Sequence, residues 1–281
     1  MNTIRPIKNI IEPQFVIEGA GVLLRRSISP QVSNQFDPFL LFDHFAFNDP
    51  VEGPIRGFPM HPHRGIETVT YILKGSVNHR DSLGNTGLIG PGDIQWMTAG
   101  GGILHEEMPR RGPEGIIDGF QLWVNLPAAQ KMIQPRYQGV IAADIPSAKG
   151  SGWRARIVAG KVGDISGPVT EIAADPLYLE LAMQANAEFN LAIPESHTAM
   201  AYVFDGLATF GEQEVVAVRL AVFGQGDQIV VRTGDKPVRF MLMAGAPIGE
   251  PIVPYGPFVM NTRAEIQQAL TDLRNGTFVQ T

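Results

Sequence analysis

The chain has no cysteine. That excludes a disulfide frame and a thiolate metal site, and it leaves imidazole and carboxylate to hold any transition ion. Nowhere do 18 apolar residues run together, and the opening Met-Asn-Thr-Ile-Arg-Pro-Ile-Lys lacks a continuous apolar stretch, so a cytoplasmic protein without membrane association is expected. Positive charge is also scarce. Lys and Arg number 22 against 28 Asp and Glu, and they are scattered, so no basic face exists for phosphate contacts and no direct nucleic-acid binding is expected. What the chain has in quantity is turn formers: 31 Gly and 22 Pro are spread over all 281 residues. Turns that frequent suit an all-β sandwich or barrel and exclude most long helices. With 44% hydrophobic residues the chain can bury two medium cores, and two domains are expected.

Residues 65–78 alternate β-formers through Ile66, Val69, Tyr71, Ile72 and Leu73, turn at Lys74-Gly75 and resume at Val77-Asn78-His79, which predicts a hairpin. A turn over residues 82–87 precedes Gly90-Pro91-Gly92-Asp93, then a strand over residues 94–97 and another over 119–126. The polar, turn-rich residues 144–152 form the expected linker, dividing the chain into residues 1–143 and 144–281. Beyond it the pattern recurs. Tyr71-Ile72-Leu73-Lys74-Gly75 matches Tyr202-Val203-Phe204-Asp205-Gly206, and Gly90-Pro91-Gly92-Asp93 matches Gly224-Gln225-Gly226-Asp227, as a diverged internal repeat would. Superposed, the second copy places Ala192 and Pro194 at the positions of His61 and His63, and Arg239 and Met241 near those of His105 and Glu107. The second half is therefore read as scaffold without metal ligands, and His197 as an ordinary polar residue. At the tail, Thr262-Arg263-Ala264-Glu265 has the capping-box form; Ile266, Ala269, Leu270 and Leu273 follow at helical spacing before Asn275-Gly276. This predicts a helix packed on a barrel.

Residues i and i+2 of a strand point to the same face, roughly 6.6 Å apart, so two side chains at that spacing can meet one ion. His61-Pro62-His63 and His105-Glu106-Glu107 both have it, and four ligands converge if the two strands face each other across a barrel. Pro62 gives up a backbone donor, which places its strand at an edge or an entrance. Glu67 shares parity with His63, and two readings stand open on the residues alone. It is the carboxylate ligand of a His-x-His-x-x-x-Glu pattern, or a group that orients a histidine. Ala99-Gly100-Gly101-Gly102 lacks a following Lys-Ser/Thr and is read as a turn that lets His105 approach the metal, not as a phosphate loop. Trp96, Met97 and Trp123 suit either a pocket for an aromatic ligand or, as large apolar residues on barrel strands more often do, plain core. His44 and His79 are read as surface or packing residues, and Asp43 and Asp49 have no evident partner.

The run Phe58-Pro59-Met60-His61-Pro62-His63-Arg64-Gly65-Ile66-Glu67-Thr68-Val69, continuing through Gln95-Trp96-Met97-Thr98-Ala99-Gly100 and Gly102-Ile103-Leu104-His105 to Gln121-Leu122-Trp123-Val124-Asn125-Leu126, resembles the pirin family. The likeness is dense over residues 37–125 and looser beyond. It implies an all-β fold of two cupin-type β-barrels with a short C-terminal helix, the first barrel binding iron. It also implies that His61, His63, His105 and Glu107 are the ligands and that Glu67 is not. Such a shell suits Fe(II); Cu, Ni, Mn and Zn are compatible with it, because site affinity alone does not select the metal. Four protein ligands leave up to two positions open for chemistry. The activity the resemblance implies is that of a quercetin 2,3-dioxygenase, in which a flavonol-like aromatic substrate is opened by O2 with release of CO and Glu107 acts as base. The alternative it carries is an iron-dependent redox-sensing regulatory protein that binds a protein partner.

Overall fold

Runs that alternate apolar and polar residues, or are apolar throughout, form the strands, and their buried faces close two β-barrels. The computed structural model describes residues 3–47 and 57–279. The chain falls into two units, Gln14–Ala142 with Ile248–Thr281 and Met1–Pro13 with Ala143–Pro247.

The opening strand β1 (Ile7–Ile11) belongs to the second unit. The first unit then takes β2 (Gln14–Glu18), β3 (Val22–Ile28), β4 (Phe39–Phe47), β5 (Phe58–His63), β6 (Ile66–Lys74), β7 (Ser76–Asp81) and β8 (Thr86–Ile89). It continues with β9 (Ile94–Thr98), β10 (Ile103–Arg110), β11 (Ile117–Asn125) and β12 (Arg136–Val140). These make a seven-stranded sheet in the order β12-β9-β6-β11-β4-β3-β2 and a four-stranded sheet in the order β5-β10-β7-β8. The turn expected at Lys74-Gly75 exists, but the strands it joins are not a hairpin. β6 lies in the larger sheet and β7 in the smaller, because the chain crosses between sheets at Gly75 to close the barrel.

The second unit is built from β13 (Ser147–Gly150), β14 (Trp153–Ala159), the short pair β15 (Lys161–Val162) and β16 (Ile165–Ser166), β17 (Leu177–Met183), β18 (Glu188–Ala192) and β19 (Thr198–Asp205). It is completed by β20 (Leu207–Phe210), β21 (Gln213–Val216), β22 (Arg219–Phe223), β23 (Gln228–Arg232) and β24 (Val238–Gly245). Its sheets run β1-β22-β19-β24-β17-β14-β13 and β18-β23-β20-β21, repeating the first unit strand for strand. The repeated tyrosine segments accordingly fall on equivalent strands, β6 and β19. The second sequence match does not. Gly90–Asp93 joins β8 to β9, whereas Gly224–Asp227 joins β22 to β23, the place held in the first unit by the β9–β10 connection. Arg239 and Met241 therefore sit on β24, the counterpart of β11. The counterpart of β10 is β23, with the sequence Gln-Ile-Val-Val-Arg.

Two further differences concern the division of the chain. The ends are exchanged relative to a cut at residue 143: β1 pairs with β22, and β25 (Val253–Tyr255), β26 (Phe258–Met260) and α1 (Arg263–Asn275) return to the first unit. Residues 144–152 are not a free linker, because β13 pairs with β14 at a sheet edge. The helix has the predicted capping box and ends at Gly276 in the left-handed region. Ile266 and Ala269 are buried with Phe258, Met260 and Phe278, and Leu273 is left exposed. Among the described residues no helix is long and apolar enough to cross a membrane.

The two interiors differ. That of the second unit is an apolar cluster including Ile157, Leu181, Phe189, Val203 and Phe240. That of the first buries Asp43, His63, Thr70, Gln95, His105 and Glu107 among smaller apolar clusters. The returning C-terminal segment is fixed to this barrel by two buried cations. Arg64 donates to Gly101 O at 2.6 Å, Asp272 at 2.6 Å and Phe278 O at 3.2 Å. Lys131 Nζ donates to Gly65 O, Asn125 Oδ1 and Val259 O at 2.8, 2.8 and 2.9 Å. Gly65, at φ +79°, lets the strand end approach Val259 more closely than any Cβ would permit. Replacing Lys131 with Met strands three buried acceptors, each costing about 1–3 kcal/mol. The variant is expected to lose on the order of 3 kcal/mol in urea unfolding of the metal-free protein; an unchanged midpoint would show that Lys131 is not a clamp.

Candidate metal centre

β5 and β10 are hydrogen-bonded neighbours in the four-stranded sheet, not strands facing each other across the barrel as the spacing argument supposed. Convergence is achieved another way. In the antiparallel register His61 lies directly opposite His105, and His63, two residues further along β5, is opposite Ile103. Side chains opposite each other share a face, so all three rings point into the barrel. Ring centroids are 4.3 Å apart for His61–His105, 4.9 Å for His61–His63 and 5.0 Å for His63–His105. One nitrogen from each lies within 4.8 Å of the others. β5 is the sheet edge, as Pro62 requires, and residues 99–102 form the turn that delivers β10.

The hydrogen-bond partners fix the tautomers. His61 Nδ1 is 2.9 Å from Pro59 O and His63 Nδ1 is 3.2 Å from Pro257 O. A carbonyl only accepts, so each Nδ1 carries the hydrogen and donates it. Both Nε2 atoms are then bare, and they stand 3.2 Å apart. Two lone pairs at that distance repel, and a cation placed against both turns repulsion into attraction. His105 is fully buried and, among the described residues, neither ring nitrogen has a hydrogen-bond partner. An orphaned buried imidazole is costly unless a ligand takes its lone pair. Burial lowers the pKa of all three rings, that of His63 to about 3 with His61 adding to the effect, so they are neutral at pH 7 and need shed no proton to bind an ion. The donor set fits one first-row transition ion.

Glu107 is in the same cavity but outside the set of three nitrogens. The register of β10 against β5 slips between His105 and Glu107, and the Glu107 carboxyl accepts from Thr70 Oγ1 at 2.8 Å. Burial pushes it up to about 7, against the opposing pull of the Thr70 hydrogen bond. Glu67 points elsewhere and accepts from Thr98 Oγ1 at 2.8 Å and Trp96 Nε1 at 3.2 Å. Burial lifts it to about 7 as well.

Of the other residues singled out, Trp96 and Met97 are core, whereas Trp123 meets His63 edge-on at 5.2 Å and lines the cavity. His79 is buried with its ring 5.5 Å from His105, a placement predictable only from knowing that β7 and β10 are neighbours. His44 pairs with Asp118 at 2.8 Å, and in the second unit His197 lies 3.7 Å from Asp175. Asp43 does have a partner: Arg26 Nε and Nη2 grip its two oxygens at 2.8 and 2.7 Å. Asp49 lies outside the described residues. Sequence reasoning missed Arg26, Thr70, Gln121 and Lys131, since no motif marks them. The cavity beside the triad has a volume of about 370 Å³, within the range of small-molecule sites.

The chain is similar to known proteins in both halves. The family model described as Pirin matches residues 21–124, and the one described as Pirin C-terminal cupin domain matches residues 178–279. A pirin-like protein of Caulobacter vibrioides is 42% identical, covering 98% of this chain and 99% of its own. Human pirin is 42% identical over 92% of this chain and 88% of its own. The crystal structure of a quercetin 2,3-dioxygenase from Acinetobacter baumannii superposes with a TM-score of 0.89 at 33% identity, covering 99% of this chain and all of the other.

The Glu67 carboxyl, buried on the face of β6 turned away from the cavity, supplies a pH test. Its folded-state pKa lies above the unfolded value, so the folded state holds a proton that the unfolded state releases, and stability falls as pH rises from about 4.5 through 7. Glu67→Gln removes that cost. The metal-free variant should be more stable than wild type at pH 8 by on the order of 1–3 kcal/mol, with the gap closing below pH ~5. A gap independent of pH would show that Glu67 does not titrate in this window.

Proposed function

The chain belongs to the pirin family, and from that footing we propose that it is a metal-dependent dioxygenase of the quercetin 2,3-dioxygenase type. It opens a flavonol ring with O2 and releases CO. The observation that carries this reading is the meeting of two bare Nε2 atoms and an orphaned His105 beside a cavity of ligand size that also holds a buried carboxyl with a pKa of about 7. The likeness to a protein named quercetin 2,3-dioxygenase along nearly the whole chain supports it. His61, His63 and His105 would hold the ion with Glu107 as fourth ligand, and Fe(II) is the assignment.

When bound, the ion supplies Lewis acidity toward the flavonol enolate and a path for electrons to O2. The rest is done by side chains. Glu107 takes the proton of the flavonol 3-hydroxyl: its carboxyl lines the cavity beside the triad, and burial favours its protonated form. Thr70 holds that proton in place. Its hydroxyl lies 2.8 Å from Glu107 and 2.9 Å from Gln121 Oε1 but has one hydrogen to give. With Glu107 ionised the hydrogen goes to Glu107; once Glu107 is protonated, Thr70 accepts from it and donates to Gln121. Trp123 and Phe58 give the aromatic rings apolar walls and exclude water. The atoms balance, since one flavonol and one O2 give one depside and one CO.

The Fe(II)-loaded protein is expected to consume O2 and quercetin in equal amounts and release CO. Glu107→Gln should lower kcat by about 10²–10⁴-fold, the usual worth of a positioned general base. Absence of oxygen uptake with iron-, copper- and nickel-loaded protein, or full activity in the variant, would contradict the proposal.

A further inference from the structure

Strand register sets a row of polar side chains across the seven-stranded sheet. Gln95 lies opposite Thr70, Thr70 opposite Gln121, Gln121 opposite Asp43, and Asp43 opposite Arg26. Residues directly opposite share a face, so the whole row looks into the barrel, toward the sheet that carries the three histidines. Four of its members line the cavity, and the Arg26 Nη1 group extends the row to Glu18 at 2.7 Å. The Glu18 side chain is 44% exposed, at the outer end of the row. The neighbouring cavity wall is apolar, formed by Val22, Leu24 and Phe45.

A row of this kind is expensive to bury and adds nothing that apolar residues would not add to the core more cheaply. Its spare hydrogen-bonding capacity indicates what it is for. Arg26 has five N–H groups and uses three on Asp43 and Glu18. Each Asp43 oxygen accepts one of these bonds and keeps a lone pair, and Gln121 offers an amide. Donors and acceptors thus alternate along one line, while the charges, one guanidinium against two carboxylates, leave an excess of one negative charge. A neutral hydroxyl can both give and receive along such a line, whereas an anion meets two carboxylates for one cation.

Resting on the reading of this cavity as the substrate site, we propose that the row formed by Gln121, Asp43, Arg26 and Glu18 sets specificity. It selects neutral flat aromatic ligands that carry hydroxyl groups on the ring remote from the triad, and it rejects those carrying an anionic group there.

The test is a binding titration of the metal-loaded full chain, read by tryptophan fluorescence under argon, with three probes. These are quercetin; galangin, the same flavonol without the two hydroxyls on its pendant ring; and quercetin 3′-sulfate. Quercetin is expected to bind about tenfold more tightly than galangin and the sulfate at least about tenfold more weakly, each tenfold step being one good hydrogen bond or its loss. Asp43→Asn should reduce the ratio of quercetin to galangin affinity from about ten to about one, a differential loss that a merely structural role would not produce. Glu18→Gln, at a half-exposed position, should recover binding of the sulfate. Equal affinity of wild type for quercetin and galangin, equal weakening of both by Asp43→Asn, or no saturable binding of either would overturn the proposal. Oxygen uptake in aerobic samples separates the two readings. A quercetin preference without uptake removes flavonol oxygenation and keeps the specificity row, whereas uptake with equal affinities removes the row alone.

Discussion

Two imidazole nitrogens without hydrogens, 3.2 Å apart inside the first barrel, are the constraint on which the rest of the first unit depends. The tautomers that bare them are imposed by the carbonyls of Pro59 and Pro257. The Pro257 carbonyl comes from the segment that returns after the second barrel has been completed, between β25 and β26. The exchange of ends is thus tied to the site. Without residues 248–281 against the first barrel, His63 loses the acceptor that orients it, and the buried cations Arg64 and Lys131, with Val259 packed among Leu40, Ile66 and Ile103, hold that segment in place.

The two units repeat one strand order and use it differently. In the second, the interior is filled by apolar side chains, and that is where packing contributes most to stability. In the first, the corresponding space holds neutral histidines, the Glu107 carboxyl, which burial raises to about 7, and a row of polar groups, each of which burial penalises. A barrel that was only scaffold would not be expected to keep them, and their pKa shifts all follow from the same desolvation that would strengthen contacts to a bound ion or an enolate. Fold alone does not distinguish the two barrels; what fills them does.

Much of this was legible in the chain. The lack of cysteine narrowed the ligands to imidazole and carboxylate, the i, i+2 spacing put His61 and His63 on one face, and the capping box marked the helix. The resemblance carried by residues 58–69 and 95–105 pointed to the barrel fold. What failed were inferences about which strands are neighbours. Local pattern marks a turn at Gly75 but not that the chain changes sheets there, and it cannot show that β5 and β10 are paired rather than opposed. The repeat was misaligned by one strand in its second half because the same Gly-x-Gly-Asp turn joins non-equivalent strands, β8 to β9 in one unit and β22 to β23 in the other. Arg26, Asp43, Thr70 and Gln121 form a row only through register, which links residues far apart in sequence and leaves no local signal.

Whether the three imidazoles of the first barrel form one ion site is asked most directly by equilibrium dialysis against Fe(II) under anaerobic conditions. Metal-free wild type is predicted to take up one equivalent, while His105→Ala, shown to be folded by circular dichroism, should retain less than about a tenth of the affinity, as loss of a ligand from a small mononuclear shell requires. Equal uptake by both proteins, or none by wild type, would contradict it.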